Sequence, residues 1–183
     1  MKLNRNAMLA AVGSVGLLLA GNAALCAQSS DASPADKMFV KDALKGGMAE
    51  VKLGQLAADK GSSDDVKQFG QKMVEDHTKM GDQMKGVAGQ IGVTPPTMVS
   101  PADKALETRL QALSGDAFDK AYIRAMVKDH RKDLMDFKKE ASSGKSSAVK
   151  DAASQGSNVI AEHLKMIEDI ARKHGVGAGT SAK

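Results

Sequence analysis

Three of the four histidines in the sequence share a helix face with a methionine three or four residues away: Met73 with His77, Met126 with His130, and His163 with Met166. Each pair offers an imidazole and a thioether in the same direction. Such mixed donors suit Cu(I), whereas the three imidazoles alone could bind Cu(II). The spacing therefore predicts copper as the metal if these residues form a site.

A structural role explains the same residues without a metal. Methionines fill gaps in a core with few aromatic side chains, and a buried histidine commonly hydrogen-bonds a carboxylate. An acid directly precedes each of the three histidines: Asp76, Asp129 and Glu162. Of the two roles the sequence favours packing, which requires no cofactor.

Iron is the second metal considered, because di-iron helical bundles use Glu-x-x-His to place a carboxylate and an imidazole on one face. The residues three positions before the histidines are instead apolar: Val74, Val127 and Ile160. A standard di-iron centre is therefore not expected. Glu50 is a further candidate ligand, since it lies on the inward face of its helix, although the turn geometry offsets it from His77 by about 6 Å.

Four amphipathic helices must position these residues. The first begins at Ser33-Pro34 and ends at Gly61, and the second follows a two-residue turn and ends near Ile91-Gly92. A third long helix follows Gly115 and ends at 142–144, and a fourth spans 147–174. Between the second and third lies a long connection with Pro95-Pro96 and a short helix from Pro101. This order predicts an all-α, ferritin-like four-helix bundle with a long connection that contains a short extra helix.

The N-terminus indicates export. Lys2 and Arg5 precede an apolar run that is too short to span a membrane, so residues 1–27 are predicted to be a signal peptide. The predicted cut follows Ala27, and a cut after Cys26 is the alternative. A lipid-modified Cys26 is disfavoured by Leu25, because the signal peptidase for lipoproteins requires a small residue before the cysteine. Residues 28–34 form a linker, 35–174 the bundle domain, and 175–183 a disordered tail. The protein is thus expected in the periplasm or secreted.

Composition excludes several functions. Cys26 is the only cysteine, so its removal leaves no disulfide, thiolate ligand or cysteine nucleophile. Losing Lys2 and Arg5 lowers the formal charge from +4 to +2, and acidic and basic residues are interspersed along the chain, so no nucleic-acid partner is predicted. No partner is identified, and a weak homo-oligomer remains open.

Several segments together resemble the exported bacterial family catalogued as domain of unknown function 4142 (DUF4142). They are Ala49–Gly54, Phe69 with Met73–Thr78, Gly115–Tyr122, Met126–His130 and His163-Leu164, within a likeness that covers roughly residues 35–172. The resemblance implies a ferritin-like fold and a periplasmic or outer-membrane location. It implies no established activity.

The sequence therefore predicts an exported cell-envelope bundle that acts as a binding or stress-protective module and is not an enzyme. The alternative is a periplasmic protein that binds copper or iron, or a ferritin-like oxidoreductase. Its site residues would be the three histidines, their methionines and Glu50, with no catalytic residue assigned.

Overall fold

The structure, a computed structural model, describes residues 32–177. The predicted signal peptide, Cys26, most of the linker and the end of the tail lie outside these residues. The described chain contains helices and no strand: α1 (Pro34–Lys60), α2 (Asp64–Gln90), α3 (Pro101–Gln111), α4 (Gly115–Ser143) and α5 (Ser147–Lys173). The protein is therefore an all-helical bundle of four long helices and one short helix in this region, with the short helix inside the long connection.

The four long helices form two hairpins. Helix α1 packs along α2, and α4 packs along α5. The hairpins meet through contacts of α2 with α5 and of α1 with α4, while α3 packs against α1 and α4. Within residues 32–177, no helix combines the length and apolarity needed to cross a membrane.

Glycines allow α1 and α2 to approach closely. A Cβ atom on Gly54 would lie 2.8 Å from the carbonyl oxygen of Gly70, and one on Gly70 would lie 2.6 Å from that of Gly54. Gly54 thus permits the close packing of α1 on α2. Gly47 does not have this role, because a Cβ there would meet nothing within 4 Å.

Two aspartates join the hairpins, because each of them caps the turn of the opposite hairpin. Asp36 in the first turn of α1 accepts hydrogen bonds from the backbone N–H groups of Lys145 and Ser146, each at 3.0 Å, in the α4–α5 turn. Asp119 of α4 accepts from the backbone N–H groups of Ser62 and Ser63, at 2.8 and 2.9 Å, in the α1–α2 turn. Each hairpin therefore supplies acceptors to the other's turn, where backbone donors would otherwise be unsatisfied.

The core consists of two apolar clusters with a polar layer between them. On α2, Met73 belongs to one cluster and Met84 to the other, with His77 between them. His130 occupies the corresponding position on α4, and His163 on α5. The three histidines therefore lie at one level across the middle of the bundle.

The ordered chain extends beyond the point at which the sequence predicted a disordered tail. Gly175 has a φ of +62°, and the N–H of Val176 donates to the carbonyl oxygen of Ala171 at 2.9 Å. This hydrogen bond closes the end of α5 and buries Val176 in the core cluster that contains Ala171. The remaining tail, 178–183, lies outside the described residues.

Asp36→Ala should destabilise the protein by about 2 to 3 kcal/mol, because it leaves buried N–H donors of another turn unsatisfied. Asp103→Ala is the matched control: Asp103 has the same Ser-Pro-Ala-Asp-Lys context but hydrogen-bonds Ser100 of its own helix end, so we expect about 1 kcal/mol or less. Urea unfolding of both variants measures the difference. Equal losses would show that the contact between hairpins contributes little.

The Asp36 contribution should also depend on pH. Burial alone would raise the pKa of Asp36, but the backbone hydrogen bonds from Lys145, Ser33 and Ser146 lower it from 3.8 to about 2. A depressed pKa stabilises the folded state above the unfolded pKa, so the advantage of wild type over Asp36→Ala should shrink as the pH falls from 3.8 to about 2.

Gly54→Ala should destabilise the bundle by about 1 to 3 kcal/mol, since its methyl group would overlap the α2 backbone. Gly47→Ala, on the same helix but facing open space, should instead stabilise by about 1 kcal/mol through higher helix propensity. Thermal unfolding of the two variants provides the comparison. A loss of stability in Gly47→Ala would contradict the assignment of that position as unpacked.

Candidate metal centre

His77, His130 and His163 meet in the polar layer, although they belong to α2, α4 and α5. Their ring centroids are 5.9, 5.2 and 5.6 Å apart for the pairs His77–His130, His77–His163 and His130–His163. One ring nitrogen from each lies within 4.8 Å of those of the other two. All three side chains are at most 2% exposed. The structure therefore brings together the three histidines that the sequence singled out, and leaves His174 outside, bound to Asp65 at 3.0 Å.

Each of the three rings is anchored through one nitrogen. His77 Nδ1 lies 2.8 Å from Glu50 Oε2, and His163 Nε2 lies 2.8 Å from Asp76 Oδ2. His130 Nδ1 lies 3.0 Å from the Met126 carbonyl oxygen. Because all three partners are acceptors, the anchored nitrogens are the ones that carry hydrogen.

The opposite nitrogens have no partner. Among the described residues, His77 Nε2, His130 Nε2 and His163 Nδ1 are buried without a hydrogen bond, and so is Glu50 Oε1. Glu50 Oε1 lies 3.7 Å from His130 Nε2. A water molecule has only two hydrogens and could satisfy at most two of these four acceptors. One ring nitrogen from each histidine lies within 4.8 Å of the other two, so a single cation could be ligated by the three histidines.

Glu50 reaches His77 directly, so the offset of about 6 Å inferred from the turn does not keep their side chains apart. Side chains on a helix lean toward its N-terminus. In an antiparallel hairpin, His77 therefore leans toward the turn and Glu50 leans away from it, and the two side chains meet. Glu50 is 3% exposed, which makes it a buried carboxylate beside three imidazoles.

The acids that partner the histidines come from other helices and not from the preceding position. Asp76 was predicted to accompany its neighbour His77 but binds His163 of α5, and also Lys72 at 2.8 Å. Glu162 points outward and is exposed. The i−1 position lies about 100° around the helix from the histidine, so its side chain faces the next helix or solvent.

Electrostatics differ among the three rings. Burial lowers the pKa of His130 to about 4 and also lowers the pKa of His163, despite the nearby carboxylates. Burial acts in the same direction on His77, but the charge and hydrogen bond of Glu50 raise its pKa above 6.5. Burial would raise the pKa of Glu50, and the charge of His77 overcomes this and lowers it. Burial thus favours the neutral imidazole, which has a free lone pair, at His130 and His163.

The three methionines occupy the apolar cluster on one side of the polar layer. Met73 and Met126 are fully buried there with Phe69 and Tyr122, and Met166 packs against the same cluster. This environment is what a packing role requires. Ligation of a metal by these thioethers stays a prediction.

Two acids that the sequence did not indicate as metal ligands lie next to Glu50. Asp129 and Asp133 each place a carboxylate oxygen within 4.8 Å of the other and of a Glu50 oxygen. Burial, and then the charge of Glu50, raise the pKa of Asp129 to about 8 and that of Asp133 to about 7. Their i, i+4 spacing on the helix of His130 was the signal that could have identified them.

A cavity of about 20 Å³ touches Glu50, His77 and Asp133, and also Gly47 and Gly81. The missing side chains of the two glycines help to keep this space open. A separate surface groove of about 310 Å³ reaches His77 beside Gly47, Gly81, Thr97 and Val99. The polar layer is therefore buried but lies within reach of the surface.

Comparison with known proteins bears on the fold and the family. The family model described as "Domain of unknown function (DUF4142)" matches residues 22–170. No curated protein matches the sequence. A DUF305 fragment from Deinococcus radiodurans is similar in structure, with a TM-score of 0.69, 16% identity, and coverage of 78% of this chain and 98% of that one. A DUF305 protein from Streptomyces coelicolor, named as a candidate secreted protein, has a TM-score of 0.68, 15% identity, and coverage of 80% and 97%.

His77 should titrate at a higher pH than His130 in protein freed of metal by chelation. We expect His77 to titrate above pH 6.5 and His130 near pH 4, and Glu50→Gln should lower the pKa of His77, because the charge that stabilises its imidazolium is lost. NMR of the imidazole nitrogens measures the two pKa values. A His77 pKa that does not change in Glu50→Gln would contradict the pairing.

Proposed function

The chain belongs to the DUF4142 family, a domain of unknown function, and we propose that it binds one divalent transition-metal ion, preferentially Cu²⁺, at His77, His130 and His163. The observation that carries the proposal is the convergence of acceptor atoms that lack hydrogen-bond partners. Buried polar atoms in folded proteins are almost always satisfied, so the unpartnered nitrogens of three adjacent histidines call for a common partner.

The donor set supports the choice of metal. Three imidazole nitrogens and a carboxylate oxygen suit copper, zinc, iron and nickel, and the Irving–Williams order places Cu²⁺ highest among these divalent ions. Met73 and Met126 lie in the apolar cluster, so the softer Cu(I) has less support than Cu²⁺. Iron would compete at the same ligands with lower affinity.

Outer contacts orient the ligands. In many metal sites a ligating histidine donates its second ring N–H to a carboxylate or a backbone carbonyl, which fixes the tautomer and ring angle. Glu50, Asp76 and the Met126 carbonyl provide these acceptors here. Glu50 can also supply its free Oε1 as a fourth ligand. The role of Glu50 as a ligand is thus combined with a role in orienting His77.

The proposed function fits an exported protein. The predicted signal peptide would deliver a cysteine-free chain to the periplasm or the exterior, where copper is mainly Cu²⁺ and thiolate ligands are absent. A buried site suits retention of an ion more than turnover of a substrate. We therefore propose a metal-binding, protective module with a ferritin-like arrangement of helices, and not an enzyme.

Copper binding should depend on the clustered histidines and not on the surface histidine. We expect the purified chain to bind one Cu²⁺ at the histidines, and His130→Asn to weaken binding by at least about 100-fold, because it removes a ligand. Asp76→Asn should weaken binding about 10- to 100-fold by releasing the orientation of His163. Titration against a competing chelator measures the affinities, and circular dichroism confirms that each variant is folded.

His174→Ala is the control, since His174 lies at the end of α5, outside the cluster, and hydrogen-bonds Asp65 of α2. Its copper affinity should equal that of wild type. If His130→Asn and His174→Ala bind copper equally well, or if wild type binds none, the histidines serve only to pack the core and the proposed function is wrong.

A further inference from the structure

We propose that Glu50, Asp129 and Asp133 form a second cation site, adjacent to the histidines, that takes a hard divalent ion such as Mn²⁺ through oxygen ligands. This site would hold a second ion beside the histidine site of the proposed function, and the two sites share one residue, Glu50. It does not require the histidine site to be filled.

The geometry is that of a three-carboxylate site. One oxygen from each residue lies within 4.8 Å of the other two, and the residues come from two helices, α1 and α4. Three carboxyl groups at this separation cannot all be ionised without strong mutual repulsion, which is larger in a partly buried place than in water. A divalent cation between them would replace repulsion with attraction.

A second observation points to a ligand at this place. Glu50 is 3% exposed, yet its Oε1 has no hydrogen-bond partner among the described residues. Its other oxygen, Oε2, already accepts from His77. The free oxygen of a buried carboxylate beside two further carboxylates is suited to bind a cation, and an acidic surface patch would not supply such an atom.

The carboxylates can be reached from solvent. Asp129 and Asp133 line a surface pocket of about 340 Å³ whose walls also carry Asp42, Asp103 and Asp136. Clustered carboxylates on the walls of a pocket attract cations and raise their local concentration. A hydrated ion could therefore approach the inner carboxylates without opening of the bundle.

Lys132 is a cation that a metal ion must compete with. Its Nζ lies 2.7 Å from Asp136 but 3.7 Å from Asp133, and the side chain is mostly exposed. The shorter contact is thus with the outer acid, and it can persist when an ion binds the inner ones. Lys45, the other lysine on the pocket, pairs with Asp42 at 3.7 Å.

Ligand chemistry separates the two sites. Carboxylate oxygens favour Mg²⁺, Ca²⁺ and Mn²⁺, whereas imidazole nitrogens favour copper and zinc. Mn²⁺ is the useful probe, because it accepts oxygen ligands and its free form gives a strong electron paramagnetic resonance signal. Loss of that signal on titration of the full chain counts the bound ion.

We expect wild type to bind one Mn²⁺, and Asp129→Asn and Asp133→Asn each to weaken binding by at least about tenfold, because affinity at such sites follows the number of charged ligands. Asp133→Glu keeps a carboxylate and should retain more affinity than Asp133→Asn. Asp116→Asn is the control: it removes the same charge from an exposed position of α4, and Mn²⁺ binding should not change.

Folding is checked independently by the melting temperature in the presence of chelator, which should not fall in Asp129→Asn and Asp133→Asn, because an amide of the same size replaces each carboxyl group. His163→Gln, which removes a histidine ligand but no carboxylate, should keep its Mn²⁺ affinity. Weakening by the aspartate variants alone supports the site whether or not the chain binds copper. No Mn²⁺ binding by wild type, wild-type affinity in both Asp→Asn variants, or loss of Mn²⁺ in His163→Gln only would overturn it.

Discussion

The pairing of one buried carboxylate, Glu50, with the imidazole of His77 sets the level at which the whole bundle is assembled. A charge taken out of water is strongly unfavourable unless a partner and hydrogen bonds compensate it. Glu50 finds this partner only if α1 and α2 lie in one register, and the close approach at Gly54 and Gly70 holds that register. The second hairpin must then bring His130 and His163 to the same level, where they meet Glu50 and His77.

The polar layer is unfavourable for folding unless something satisfies it. Two well-packed apolar clusters lie on either side of it, and caps between the hairpins provide further stabilisation at both ends. Proteins tend to break local rules of polar satisfaction at functional sites and to offset the loss elsewhere. The unpartnered nitrogens and Glu50 Oε1 break such a rule, because they are buried without hydrogen-bond partners.

The two hairpins stabilise each other in the same way, through an aspartate near the start of each. Asp36 and Asp119 lie near the starts of α1 and α4, and each binds the turn of the opposite hairpin. The repeated Ser-Pro-Ala-Asp-Lys, by contrast, begins α1 and the short α3. Identical local sequences therefore have different tertiary roles: Asp36 joins two hairpins, whereas Asp103 caps its own helix and lines the acidic pocket. Similarity to DUF305 structures at 15–16% identity extends to the fold alone.

The sequence by itself determined the helices, their ends and the inward direction of His77, His130, His163 and Glu50, because capping residues and a three-to-four periodicity are local properties of the chain. Only the tertiary structure decided how these residues meet. Glu50 and His77 are in contact because their side chains lean toward each other across the α1–α2 hairpin. Asp76 hydrogen-bonds His163 instead of its neighbour His77 because α2 packs on α5. Asp129 and Asp133 became part of the same environment only through the contact of α1 with α4. Such contacts depend on helix register and rotation, which differ by a few ångströms between arrangements that share one hydrophobic pattern.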